Sequence, residues 1–128
     1  MKYLVLVYFD ENEFGALAED EREALWAEGE AYATELQRLR GFIAADALEP
    51  TAAATTLRKR NGTITVTDGP FAETKEQLGG FVLIDAPNLD QAVRIAARVP
   101  SARFGSVEVR PVRELEAGRA CLSPRRSE

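Results

Sequence analysis

Residues 55–68 read TTLRKRNGTITVTD, and this stretch decides the fold. Asn61-Gly62 is the two-residue turn of a tight hairpin, because both of its positions need positive φ and both residues accept it. The turn sets the register. Arg60 faces Thr63, Lys59 faces Ile64, Arg58 faces Thr65 and Leu57 faces Val66. Leu57, Ile64 and Val66 then share an inner face, and Arg58, Arg60, Thr65 and Thr67 share the other. The hairpin divides the chain into two flanks, and each flank reads as β-α-β.

In the first flank, residues 3–9 (YLVLVYF) are short and rich in β-branched and aromatic types, as in a strand buried on both faces. Asp20 followed by Glu23 predicts a capping box with Asp20 at the N-cap of a long helix. That helix runs to about Arg40, with Gly41 just past its end. Leu25, Tyr32, Leu36 and Leu39 fall on one helical face, bordered by Leu17 and Trp26. Glu21, Glu23, Glu28, Glu30 and Glu35 face water. Residues 42–48 (FIAADAL) form a second strand closed by Pro50, with Asp46 facing either solvent or a pocket.

In the second flank, residues 68–80 (DGPFAETKEQLGG) read as a loop opened by Asp-Gly-Pro and closed by Gly-Gly. Residues 81–85 (FVLID) form a strand. Asn88 caps a short helix whose apolar stripe is Leu89, Val93, Ala96 and Ala97, and Pro100 stops it. Residues 106–112 (SVEVRPV) alternate: Val107 and Val109 point one way, Ser106, Glu108 and Arg110 the other. The expected fold is ferredoxin-like α+β, a β-α-β, hairpin, β-α-β order around an antiparallel sheet. Residues 1–113 form one domain and 114–128 a flexible tail. Helices on one face leave the opposite sheet face to be covered, and a homodimer packed sheet on sheet would cover it.

Composition excludes several chemistries. Among 128 residues there is no histidine and one cysteine, Cys121. Ser-His-Asp and Cys-His catalysis within one chain are ruled out, as are zinc sites that need histidine or four thiolates. No metal and no cofactor is expected. The lone cysteine and the lack of a secretory pattern suggest a reducing cytoplasm. No stretch approaches the roughly 20 apolar residues of a membrane span. Net charge is −5, unevenly placed: residues 1–50 hold 12 acids and 4 bases, residues 51–128 hold 9 acids and 12 bases. Such a chain is a poor match for nucleic acid, whose phosphates demand neutralising cations. The basic Arg119, Arg125 and Arg126 read as a solvated terminus.

The densest candidate site is Asp68-Gly69-Pro70-Phe71-Ala72-Glu73-Thr74-Lys75-Glu76. In a functional reading Lys75 binds an anionic group while Asp68 or Glu73 acts as general base. In a structural reading Asp-Gly-Pro makes a tight turn, Phe71 plugs the loop into the core, and Glu73 and Lys75 are solvated or paired. Glu108 and Arg110 either clamp a small anion in a cleft or form an internal ion pair. Arg58 and Arg60 read as charges that keep an exposed strand soluble. Tyr3, Tyr8, Phe9 and Trp26 read as core. Gly79-Gly80 lacks the spacing and the following helix of a phosphate-binding loop.

The run TDGPFAETKEQLGGF, Thr67 to Phe81, closely resembles the signature of YCII-related proteins of the DGPF type. The start MKYLVLVY, the segment from Leu48 to Arg58 and the end GSVEVRPV from Gly105 are similar to that family as well. Asp68, Gly69, Pro70, Phe71, Glu73, Lys75 and Gly80 match its motif position by position, with Gly79 beside them. The resemblance implies a bacterial protein whose protomer dimerises into a dimeric α+β barrel. It also implies genomic company with extracytoplasmic-function sigma factors. Enzymes of the wider group act on small aromatic or chlorinated substrates through a His-Asp pair, which a chain without histidine cannot supply. Two functions follow as expectations. One is a homodimer binding a small, anionic ligand near residues 68–76, through Lys75, Glu108 and Arg110, with any chemistry resting on Asp68, Glu73 and Lys75. The alternative is a non-catalytic signalling partner of a sigma factor, docking through the acidic 10–30 face.

Overall fold

The computed structural model describes residues 1–115; the expected tail lies outside these residues beyond its first two positions, and so do Cys121 and the three terminal arginines. Strand β1 (Lys2–Phe9) is followed by helix α1 (Glu11–Gly15), helix α2 (Glu19–Gln37) and strand β2 (Phe42–Ala47). The hairpin of β3 (Thr55–Arg60) and β4 (Thr63–Asp68) comes next, then β5 (Gln77–Asp85), α3 (Leu89–Ala96) and β6 (Gly105–Pro111). The main sheet has the order β2-β5-β1-β6, and β3-β4 stands apart as a two-stranded sheet. Every pairing is antiparallel, so β1 and β2 run parallel with β5 between them, and β5 and β6 run parallel with β1 between them. Two interleaved β-α-β units of this kind make the ferredoxin-like α+β fold, the protomer of the dimeric α+β barrel.

The core lies between the sheet and the helices. Tyr3, Val5, Val7, Val82 and Ile84 project from β1 and β5 onto Leu36, Ala92, Ala96 and Val99. Val107 and Val109 of β6 pack against the same cluster, as their alternation predicts. Intervening positions Leu4, Leu6, Tyr8, Phe81 and Leu83 lie on the opposite, helix-free face and are half-buried. No helix among the described residues is long and apolar enough to cross a membrane.

Several boundaries differ from expectation. Helix α2 starts earlier: Ala18 is the N-cap, and the Glu21 carboxylate accepts the Ala18 N–H at 3.0 Å. The Asp20 carboxylate instead accepts the N–H of Glu21 at 2.9 Å. The preceding α1 was not expected; Asp10 caps it by accepting the N–H of Asn12 at 2.9 Å and of Glu13 at 3.3 Å. Trp26 is exposed, not core. In α3 the buried residues are Ala92 and Ala96, whereas Leu89 and Val93 are exposed. The larger α3 side chain that packs against the core is Ile95.

The Gly79-Gly80 pair closes no loop. Both glycines belong to β5, which begins at Gln77, where the pairing with β1 shifts between Val7 and Tyr8. A Cβ on Gly79 would overlap the Phe9 ring, so the bulge and the missing side chain together make room for that aromatic.

The hairpin forms in the expected register, Arg60 opposite Thr63 through Leu57 opposite Val66. Asn61 at φ 51° and Gly62 at φ 78° form the turn. Its apolar side is not an inner face in the protomer: Leu57, Ile64 and Val66 are 61%, 55% and 61% exposed.

Candidate functional site

The helix-free face of the sheet gathers the polar groups that alternation assigned to β6. Cross-strand register puts Ser106 opposite Tyr8, Glu108 opposite Leu6 and Arg110 opposite Leu4. Beyond β1, Leu6 faces Phe81, which faces the exposed Asp46; Leu4 faces Leu83. Apolar rows therefore run across β1 and β5, with charged side chains at both margins of the face.

Arg110 donates through Nε to the Glu108 carboxylate at 2.9 Å, and its Nη2 meets the same oxygen more closely still. That hydrogen bond, and then the charge of Glu108, holds the Arg110 pKa above the ordinary guanidinium range; the Tyr8 charge adds a smaller upward push. The arrangement is the ion-pair alternative for these residues. It also presents a guanidinium on the open face, with part of its donor fork available to an incoming carboxylate or phosphate.

The signature segment is pinned at both ends. At its start, the Gly69 N–H donates to the Ala54 carbonyl at 2.7 Å, and the Thr56 hydroxyl donates to the Gly69 carbonyl at 2.7 Å. Gly69 takes φ 100°, a backbone that an L side chain rarely adopts. Arg58 donates to the Phe71 carbonyl at 2.9 Å, so this arginine braces the loop as well as solubilising the strand. At its end, the Ser106 hydroxyl donates to the Glu76 carboxylate at 2.9 Å and ties the loop to the polar margin of β6. Gln77 accepts the Glu11 N–H at 2.9 Å, and Glu11 in turn accepts from the Thr51 N–H at 2.9 Å and hydroxyl at 2.8 Å.

Between these anchors, Asp68, Glu73 and Lys75 are exposed. Phe71 does not plug the core; it is 74% exposed. Of the residues singled out from sequence, Glu108 and Arg110 are brought together. Asp68 ends β4, Glu73 and Lys75 lie on the exposed loop after it, and Glu76 ties that loop to Ser106, two positions before Glu108. Glu76 belonged to the candidate segment without a role of its own, and Ser106 and Glu11 were not singled out as site residues. Among the described residues no three acidic, cysteine or histidine side chains are grouped to hold a metal.

An open cavity of about 460 Å³ lies elsewhere, between α2 and the segment after α3. Glu35 pairs with Arg98 at 2.7 Å across it, and Glu28 with Arg103 at 3.0 Å. Tyr32 donates to the Ile95 carbonyl at 2.7 Å beside them. None of the candidate site residues lines it.

An uncharacterised protein of Rhizobium meliloti (strain 1021) is 42% identical over 114 residues, covering 88% of this chain and 92% of that one. The fold is similar to that of the 5-chloro-2-hydroxyhydroquinone dehydrochlorinase TftG from Burkholderia phenoliruptrix AC1100, solved in complex with 2,5-dihydroxybenzoquinone. That likeness has a TM-score of 0.51 at 16% identity and covers 88% of this chain and 94% of the other. The model of the YCII-related domain matches residues 1–116, the whole β-α-β, hairpin, β-α-β unit, and the chain belongs to the YCII-related family.

Proposed function

We propose that the protein is a cytoplasmic homodimer that binds a small anionic ligand between its facing sheets. Arg110 oriented by Glu108 would hold the anionic group, and Lys75 of the signature loop would provide a second cation. The observation that carries this reading is the placement of the Glu108–Arg110 pair at the margin of a helix-free sheet face whose central rows are apolar. Ligand clefts combine an apolar lining with a few oriented polar groups. The dehydrochlorinase of the same fold holds a six-membered quinone, so a ligand of that size suits the architecture. Any proton transfer would fall to Asp68, Glu73 or Lys75.

The test is a thermal-shift screen of small aromatic and aliphatic carboxylates and phosphates. A ligand at 100 times its Kd stabilises the fold by about 2.7 kcal/mol, roughly 10 °C for a domain of this size. Arg110→Ala and Lys75→Ala should abolish the shift and leave the unliganded Tm within about 2 °C, because both side chains are exposed. A hit whose shift survives both substitutions would refute the assignment.

A second reading has its own observation. Glu13, Glu19, Asp20, Glu21 and Glu23 are all exposed around the start of α2, an acidic surface suited to a basic partner such as an extracytoplasmic-function sigma factor. Co-purification that disappears when Glu19, Asp20 and Glu23 are changed to lysine would favour it, and no binding at micromolar concentration would remove it.

A further inference from the structure

The β3–β4 hairpin is an arm. It makes a sheet of its own, and each residue of β4 is exposed on either face. A lone two-stranded hairpin is marginally stable in water, and it needs a third strand or an apolar surface against it. This one presents Leu57, Ile64 and Val66 on one side, all more than half exposed. We propose that this apolar side packs against a second copy of the same chain, so that each protomer's arm clasps its partner. The inference rests on the dimeric reading above and adds the element that closes the dimer.

Area is the argument for a second copy. Four strands at about 4.8 Å spacing, with about six residues in common at about 3.3 Å each, give the helix-free face roughly 400 Å². The arm's apolar side adds a footprint of roughly 200 Å² on the same spacings. Twofold symmetry enters it twice for each protomer, once as the arm given and once as the surface beyond the sheet face that the partner's arm covers. The arms thus double the footprint of a sheet-on-sheet contact, toward the roughly 800 Å² of accessible surface that a stable interface takes from each partner. Charge favours the same occupant: Arg58, Lys59 and Arg60 stand near the arm's tip, while residues 1–50 carry 12 acids against 4 bases. A second copy brings that acidic surface to the basic arm.

The arm also bears on the site. Thr56 and Arg58 hold the carbonyls of Gly69 and Phe71, at 2.7 and 2.9 Å. Docking the arm on the partner therefore sets the start of the loop that carries Lys75.

The test compares the full chain with Ile64→Asp/Val66→Asp and with Thr65→Asp/Thr67→Asp. The second pair adds the same charge to the opposite side of the same strand. Light scattering from about 0.1 to 100 μM should give a dimer for the wild type and the threonine variant. The Ile64/Val66 variant should dissociate at least 100-fold more readily. Backbone amides of β4 should exchange faster on dilution only where the dimer dissociates. A wild-type dimer whose affinity the Ile64/Val66 variant leaves unchanged would overturn the arm while leaving the dimeric reading intact. A monomeric wild type at 100 μM would overturn both. A hairpin protected only when a single-stranded oligonucleotide is added would give the arm to nucleic acid instead.

Discussion

Tyr32→Phe removes one hydroxyl, and the structure says what that hydroxyl does at each pH. It donates to the Ile95 carbonyl at 2.7 Å, joining α2 to α3. The carbonyl keeps a second donor, the Arg98 N–H at 3.3 Å, so the loss is that of an ordinary hydrogen bond, about 1 kcal/mol. The phenol is also pushed from its usual pKa of 10.0 up to about 12, first by burial, with Arg98 opposing and Glu35 adding to the rise. Its folded pKa is raised, so the neutral form favours the fold. That contribution is complete below the unfolded pKa near 10 and drains away as pH climbs toward 12. At pH 11 the undiscounted linkage would be about 1.4 kcal/mol. Tyr32 is only half-buried, and solvent screening brings this to about 1 kcal/mol. Urea unfolding should therefore separate wild type from Tyr32→Phe by about 1 kcal/mol at pH 8, and the two stabilities should meet near pH 11. Absorbance at 295 nm should show the tyrosine titration near pH 12 disappear in the variant. A separation that stays constant from pH 8 to pH 11 would refute the argument.

Two further substitutions probe the core and the sheet beside the site. Ile84 is 1% exposed under the helices, so Ile84→Ala should cost about 2–5 kcal/mol in denaturant unfolding with an unchanged m-value. A Cβ on Gly105 would overlap the Tyr8 carbonyl oxygen across the β1–β6 ladder. Gly105→Ala should cost about 1–3 kcal/mol and speed amide exchange at Ser106, whereas Gly15→Ala, with nothing within 4 Å of the new Cβ, should not destabilise the fold.

The legible parts of this fold were those governed by neighbours in sequence. Asn61-Gly62 dictated the hairpin register because a two-residue turn leaves no freedom to slip. Alternation along residues 106–110 separated Val107 and Val109 from Glu108 and Arg110, and those charged residues do lie side by side on the open face. What escaped were contacts made over distance. The Gly-Gly pair reads as a loop end until the Phe9 ring is seen against Gly79. Leu89 and Val93 look like the core side of α3, yet the side chains that pack inward are Ala92, Ile95 and Ala96. Glu76 and Ser106 lie 30 positions apart, Glu11 and Thr51 40. No local spacing announces such pairs, although both anchor the signature segment.

The polar margin of the sheet decides between a dry interface and a cleft. Two apolar sheet faces pressed together would bury Arg110 and Glu108 along with Leu4, Leu6, Phe81 and Leu83. Taking an ion pair out of water costs several kcal/mol per charge unless further hydrogen bonds complete it, and here Arg110 relies on Glu108 alone among the described side chains. A dimer that sealed this margin would gain more from leucine at both positions. One that leaves it open to solvent, or to an anion, keeps the apolar rows buried and avoids the penalty. Histidine is absent, so the guanidinium and Lys75 are the cations at hand for such an anion. Replacing Glu108 and Arg110 together with leucine should therefore tighten the dimer while abolishing anion binding. A looser dimer would mean that the pair holds the interface itself.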